Sequence, residues 1–425
     1  MLASPLGDVR VFCRVRRSSP GAGAAAIFNF TDATQEQRKL QLQGGLRPDA
    51  TMHNFQFNRV FAPSASQAEI YGDLSALAQS AMDGYKVCIF AYGQTGSGKT
   101  YTMQGPDSLS LGAACSSCAE GGALPADAGV IPRSVAQLFG QRVELEAQGW
   151  SFNPSLSMVE VYNEKLHDLL DGSSSPRAGQ GSGGAGTPRA AGTPTKQRMG
   201  DVMGAIAAAQ NVARGAKAMC ASPRGARKSG AFGSGPSTSG SGTPGLEIRM
   251  NKATGDFECV GLTHVQVDTA EEVMAELELA AGRRATASTK MNARSSRSHL
   301  VFSLRMEGVH RETGERREGV LNLVDLAGSE RLGKSKAEGA QLKETQSINK
   351  SLSCLGNVIG ALHKKAKHIP YRDSKLTHLL QPSLGGDAKT LMFCNLSAEQ
   401  ESAHESLCSL RFAKQVNSTD VALSS

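Results

Sequence analysis

Eight consecutive residues, Gly93-Gln94-Thr95-Gly96-Ser97-Gly98-Lys99-Thr100, have the types and spacing that bind a chain of phosphates. The pattern G-x-x-x-x-G-K-T follows the apolar run Val87-Cys88-Ile89-Phe90-Ala91, so a buried strand ends in a glycine-permitted loop at a helix start. There the backbone amides can surround phosphate oxygens. Lys99 would neutralise the β and γ phosphates and Thr100 would place its hydroxyl on Mg²⁺. The implied ligand is a nucleoside triphosphate, and the loop alone implies a nucleotide hydrolase or switch.

Two further stretches suit a site that senses the terminal phosphate. Asp325-Leu-Ala-Gly-Ser-Glu330 follows the apolar run Leu321-Asn-Leu-Val324, where a strand-end carboxylate can hold the metal. Gly328 can bring its amide to the γ-phosphate. Asn292-Ala-Arg-Ser-Ser-Arg-Ser-His299 sets hydroxyls and guanidinium groups just before another strand pattern. A loop of that kind can close over the γ-phosphate, with Ser295 and Ser296 as polar contacts and Ser296 also turned to the metal.

The surrounding elements must present these loops at one edge. Val9, Val11, Cys13 and Val15 alternate with Arg10, Phe12, Arg14 and Arg16, which predicts a strand with one apolar face. Strands are also expected at Phe55–Phe61, 156–161, 246–250, 257–267, 300–309, 320–324 and 390–396. Helices are expected over 66–82, from Thr100 to the break at Gly105-Pro106, from Pro132 to Ala147, and at 341–364, 374–380 and 403–416. Thr269 and Glu272 form a capping box for a helix ending near Arg283-Arg284. Strands and helices interleave on both sides of the glycine-rich loop, which predicts one α/β domain with a mostly parallel central sheet flanked by helices on both faces.

With 425 residues, 40% of them hydrophobic, the chain can bury a large core. Its apolar runs are far shorter than the ~20 residues that span a bilayer and the start lacks a signal-peptide pattern, so it reads as soluble and cytosolic. Nine scattered cysteines read as reduced small hydrophobes, and the close pair Cys115 and Cys118 as a surface loop. The net charge of +7 is local: residues 172–245 hold nine Lys or Arg and one Asp, a net +8, leaving the remainder at −1. That segment is rich in Gly, Ser, Ala, Thr and Pro, a composition that cannot bury enough apolar surface to offset ordering, beyond a short helix over 202–213. A second expanded loop covers 105–129.

The phosphate loop, Asn292–His299 and Asp325–Glu330, in that order and spacing, resemble the phosphate loop and two switches of the kinesin motor domain. The resemblance continues through Ile348-Asn-Lys-Ser-Leu-Ser-Cys-Leu-Gly-Asn-Val-Ile359, His368-Ile-Pro-Tyr-Arg-Asp-Ser-Lys-Leu-Thr377 and Leu384-Gly-Gly386. It implies a P-loop kinesin motor fold as one domain over 1–425, a microtubule-stimulated ATPase with ATP and Mg²⁺, and an Arg297–Glu330 salt bridge that closes when the γ-phosphate draws both loops inward. Asn349 is then a further contact for the attacking water, Arg14, Arg17 and Tyr101 face the adenine, and Arg16 is a further nucleotide contact. Arg17 stands where the family has a proline, although a guanidinium can also lie over a base. No Asn-Lys-x-Asp guanine-reading motif is present, which favours ATP over GTP.

Lys334, Lys336 and Lys343, with Lys364, Lys365, Lys367, Arg372 and Lys375, form a basic rim suited to the acidic surface of tubulin. No aromatic residues interleave with these charges, so nucleic acid is not the expected partner, nor is a membrane. The start, Gly7-Asp-Val-Arg-Val-Phe-Cys-Arg-Val-Arg16, is similar to the C-terminal-motor, minus-end-directed subfamily, in which a coiled-coil neck precedes this strand and makes the dimer. No heptads precede Val9, so the expectation is a piece of a longer protein or a head without a lever; the rival reading is a microtubule-binding protein with a vestigial ATPase. The insertion is either an electrostatic tether to acidic tubulin tails, weakened by phosphate at Ser175, Thr187, Thr193, Ser222 or Thr243 (each followed by proline), or a solvated expansion. Deleting 172–245 separates the two in a co-sedimentation assay at low salt: a several-fold loss of microtubule affinity marks the tether, unchanged affinity the expansion.

Overall fold

A computed structural model describes residues 9–17, 27–30, 37–43, 51–106, 124–172, 245–252, 257–286, 296–330, 340–385 and 388–417. Outside them lie Cys115 and Cys118 with most of the 105–129 loop, residues 173–244 with the expected helix over 202–213 and the five proline-directed sites, and also Ser295, Lys334 and Lys336. The chain divides into one unit of residues 1–173 and 244–425 and another of 174–243, and the fold below is that of the first.

In chain order the strands are β1 (Val9–Arg16), β2 (Phe28–Asn29), β3 (Lys39–Gln43), β4 (Met52–Gln56), β5 (Arg59–Phe61), β6 (Lys86–Tyr92), β7 (Trp150–Tyr162), β8 (Lys165–Asp168), β9 (Glu247–Met250), β10 (Phe257–Val260), β11 (Val265–Gln266), β12 (His299–His310), β13 (Arg316–Asp325) and β14 (Lys389–Ser397). The helices are α1 (Gln67–Gly72), α2 (Ser75–Met82), α3 (Lys99–Met103), α4 (Val130–Ala147), α5 (Ala270–Thr286), α6 (Ala340–His363), α7 (Lys375–Leu379), α8 (Gln381–Leu384) and α9 (Ala403–Asn417).

The main sheet runs β11-β7-β12-β13-β6-β14-β1-β5, with β8 paired to β7. It is mixed, and its parallel ladders lie together in the half from β13 to β5. β6 lies within that half, between two strands parallel to it, so a continuous apolar run is what its position demands. Its side chains alternate between two cores: Val87, Ile89 and Ala91 face one, Cys88 and Phe90 the other. The first core is built with α1, α2, α4 and α5, the second with α6 to α9 and the small sheet β2-β3-β4. Parallel pairing places Asp325 beside Ala91, so the carboxylate at the end of β13 and the loop leaving β6 emerge together.

Several expectations are corrected by this packing. β1 is buried on both faces: Phe12 meets Phe61 and Phe393 edge-on at 5.8 and 5.9 Å, and Arg14 is largely buried. Phe55–Phe61 is not one strand, because the chain passes from β4 in the small sheet to β5 in the main one, and the Asn58 side chain accepts the Val11 amide at 2.7 Å at the crossing. The pattern over 66–82 is two helices with a break at Asp73-Leu74, the first capped by Ser66. The helix assigned to Pro132 starts two residues earlier, at Val130. Thr269 caps α5 through the Glu272 amide at 3.2 Å, while the Glu272 carboxylate reaches one residue further back, to the Asp268 amide at 2.7 Å.

Candidate functional site

Gly96 and Gly98 hold left-handed φ angles of 78° and 93°, and Gly98 opens α3. Gly93 lies so close to the Asn395 carbonyl and the Ser97 hydroxyl that a Cβ would not fit. The start of the loop is packed against the end of β14, and Lys99 is buried under it, donating to the Gly93 and Gln94 carbonyls at 2.8 and 3.0 Å. Burial pushes the Lys99 ammonium pKa down, opposed by Asp325 and Glu330. Two carbonyls are weak compensation for a buried cation, so a ligand that offers phosphate oxygens competes well for it.

Thr100 Oγ1 donates to Asp325 Oδ2 at 2.7 Å. Burial raises the Asp325 pKa, against Lys99. Among the described residues its Oδ1 is buried with no partner, as are Ser97 Oγ, Gln94 Oε1 and Asn395 Oδ1. Unpaired buried oxygens of this kind are costly and mark where a ligand belongs. The orphaned Asp325 oxygen beside the Thr100 hydroxyl fits an oxygen-seeking divalent cation.

Beside the loop opens a cleft of about 740 Å³, with Thr95 to Tyr101 on its floor and Arg14 to Arg17, Pro63 to Gln67, Asp127 and Ser296 around it. The cleft brings together the residues expected at the base, Arg14, Arg17 and Tyr101, and with them Arg16. Arg14 lines the wall, yet its Nη1 donates to Gln67 Oε1 at 2.8 Å and Thr102 Oγ1 at 2.9 Å, with its Cζ 5.1 Å from the centre of the Tyr101 ring. Desolvation lowers its pKa to about 10. It buttresses the Tyr101 ring. Arg16 bonds the Gly96 carbonyl and so braces the phosphate loop, and Arg17 is exposed on the rim.

The two sensor segments meet next to this cleft. The Gly328 amide donates to the Ser296 carbonyl at 2.9 Å, and Ser329 N to the Gly93 carbonyl at 3.0 Å. Arg297 and Glu330 each hold another partner. Glu330 accepts from Thr95 N at 2.8 Å and Thr95 Oγ1 at 2.5 Å, whereas Arg297 Nη1 donates to Glu344 Oε2 at 2.7 Å. The reason is local supply: Thr95 offers two donors to one carboxylate, and α6 offers Arg297 a mostly buried one.

His299 ties the same region to α6. Its Nδ1 accepts the Ala327 amide at 3.0 Å, so the proton sits on Nε2, which donates to Ser351 Oγ at 2.7 Å. The Ser351 hydroxyl in turn donates to the Ile348 carbonyl at 2.7 Å. Glu344 and Ser351 are seven residues apart, two turns, and lie on one face of α6. Behind His299, Ser298 Oγ donates to Glu160 Oε1 at 2.7 Å and accepts from Arg284 Nη2 at 3.1 Å, a buried ion pair between β7 and α5. Asn349 is half-buried on α6 and does not line the cleft.

The described members of the basic rim, Lys343, Lys364, Lys365, Lys367, Arg372 and Lys375, are all exposed. Lys343 neighbours Glu344 at one end of α6, and Lys364 to Lys367 follow its other end, roughly 30 Å away at 1.5 Å per residue. Arg372 stacks on Phe257 at 5.8 Å, and the Lys375 amide donates to Glu164 at 2.9 Å, which fixes the β9–β10 hairpin and the β7–β8 turn beside α7.

A family profile described as "Kinesin motor domain" matches residues 237–419, and one described as "Microtubule binding" matches residues 5–170. Over 97% of its length, and all of the other chain, the protein superposes on the motor domain of the Kar3-like kinesin from Ashbya gossypii with a TM-score of 0.66 and 32% identity. The chain belongs to the kinesin motor-domain family. It is 41% identical over 417 residues to the kinesin-like protein KIN-14N of Oryza sativa subsp. japonica, and 40% identical over 425 to the kinesin-like protein klpA of Emericella nidulans, covering 98% of this chain and 44% of each relative. The chain thus spans under half the length of these relatives. Among its described residues no helix is long and apolar enough to cross a membrane.

Sequence reasoning missed the kinesin's supporting residues: Gln67, Asp127, Glu160, Arg284, Glu344 and Ser351. Only Glu160 carried a signal, a carboxylate between Val159 and Val161 in an apolar strand, which demands a buried partner. His299 was placed in the sensor motif without its role. Burial, with Lys99 and Arg284 nearby, lowers its pKa from 6.5 to about 3. Between those values the unfolded chain binds a proton that the folded one excludes, so His299 costs stability as the pH falls below about 6.5. Urea unfolding at pH 7, 6 and 5 is expected to show that loss, up to about 1.4 kcal/mol per unit from this group, and His299→Gln is expected to flatten the slope.

Proposed function

We propose that this kinesin head is a microtubule-stimulated ATPase in which loss of the γ-phosphate is transmitted to helix α6 and the basic rim around it. The observation that carries the proposal is that one short segment, Ser296 to His299, reaches the nucleotide cleft, the loop after β13 and α6 together.

Bound Mg²⁺ would be held by Thr100 and Asp325, with Ser296 nearby, and would neutralise charge on the β and γ phosphates. Lys99 would exchange its two carbonyl partners for phosphate oxygens. Gly328 would offer its amide to the γ-phosphate, which requires it to leave the Ser296 carbonyl. Glu330 would then leave Thr95 and take Arg297 from Glu344, closing over the attacking water. Breaking the Arg297–Glu344 contact releases one polar hold on α6, and a shift of α6 alters how Lys343 and Lys364 to Lys367 meet an acidic track. Electrostatic binding of this kind weakens with salt.

The described elements make one motor domain interrupted by residues 172–245. The relation to KIN-14N and klpA supports a minus-end-directed motor on cytoplasmic microtubules in the whole protein, dimerised through a coiled coil outside this chain. Glu330→Ala is expected to keep ATP affinity within about threefold. Its microtubule-stimulated phosphate release should fall on the order of 100-fold, because the loops can close but not latch. Full stimulation in that variant would contradict the proposal.

A further inference from the structure

Beside Tyr101 the cleft holds a carboxylate, Asp127. Asp127 precedes α4 and is exposed to the cleft. Its Oδ1 accepts the Tyr101 hydroxyl at 3.0 Å. Among the described residues, Oδ2 makes no hydrogen bond. Gln67 fixes the backbone of both partners. The Gln67 side chain, 4% exposed, donates to the Asp127 carbonyl at 3.2 Å and to the Tyr101 carbonyl at 2.6 Å, while its own oxygen accepts from Arg14. Arg14 in turn backs the Tyr101 ring. A fixed aromatic face with a fixed anionic acceptor at its hydroxyl end is what a base-reading site needs: the ring takes the base's face and the acceptor takes its edge.

We propose that Asp127 is a specificity-determining residue of the nucleotide site, selecting bases that present an exocyclic amine over those that present a carbonyl at the same position. The inference rests on the reading of the cleft as a nucleotide site. Tyr101 supplies the stacking surface, so Arg17 is not required for it. Asp127 Oδ2 accepts from the 6-amino group of adenine and repels the 6-oxo group of hypoxanthine. Asp127→Asn keeps an oxygen for the Tyr101 hydroxyl and turns an amide donor to the base, which reverses the preference.

The test is competition of adenosine and inosine diphosphates against a fluorescent nucleotide, with Mg²⁺ present and no microtubules, so that the readout is binding alone. The unmodified protein is expected to prefer the adenosine form roughly three- to tenfold, a charged hydrogen bond weakened by solvent at the rim. Asp127→Ala should bring the ratio near one, and Asp127→Asn should carry it to one or below. Equal binding by the unmodified protein, or an undiminished preference in both variants, overturns the proposal and leaves the nucleotide site standing. Failure of either nucleotide to bind overturns both. A purely structural role for Asp127 would weaken both nucleotides alike and leave the ratio unmoved, which also overturns it.

Discussion

A neutral imidazole, closed off from water, joins three elements of the site. His299 can accept the Ala327 amide and donate to Ser351 at once only as the Nε2–H tautomer. Protonation would set a cation beside Lys99 and Arg284 and turn the accepting nitrogen into a donor facing an N–H. Burial therefore fixes the charge state, the charge state fixes the tautomer, and the tautomer fixes which elements are joined: the start of β12, the loop after β13 and α6.

Around that junction the site divides into a rigid and an exchangeable part. The rigid part is the central strand β6, the left-handed glycines after it, and the Glu160–Arg284–Ser298 cluster that anchors the start of β12. The exchangeable part is a set of polar contacts each able to find a second partner: Lys99 on two carbonyls, Glu330 on Thr95, Arg297 on Glu344 and Gly328 N on Ser296. None depends on burying apolar surface, so trading one for another costs little beyond local reorganisation. A triphosphate needs only to outcompete partners already held weakly, which suits a switch better than an irreversible latch.

What the sequence made legible follows from how local each constraint is. The phosphate loop and Asp325 could be read directly, because a tight turn around phosphate and a strand-end carboxylate impose residue types at fixed spacing. Element types were legible for the same reason. Partners were not. Arg297 was singled out, yet Glu344 lies 47 residues away on a helix whose polar positions look alike in sequence. Arg14 has an exposed-looking alternation, but β1 lies inside the sheet, and Gln67 and Thr102 arrive from elements 53 and 88 residues on. Phe55 to Phe61 reads as one strand because the chain's change of sheet at Asn58 leaves no periodic mark.

The central claim is that α6 is driven through Arg297–Glu344 and His299–Ser351, contacts that lie outside the cleft lining. It is tested most directly by the microtubule affinity of the head with a non-hydrolysable ATP analogue and with ADP, compared between the unmodified protein and the Glu344→Ala, Ser351→Ala double variant. Nucleotide binding is expected to stay within about threefold, while the difference between the two microtubule affinities collapses to within about twofold. A double variant that binds nucleotide and still distinguishes the two states on the microtubule as the unmodified head does would contradict the account.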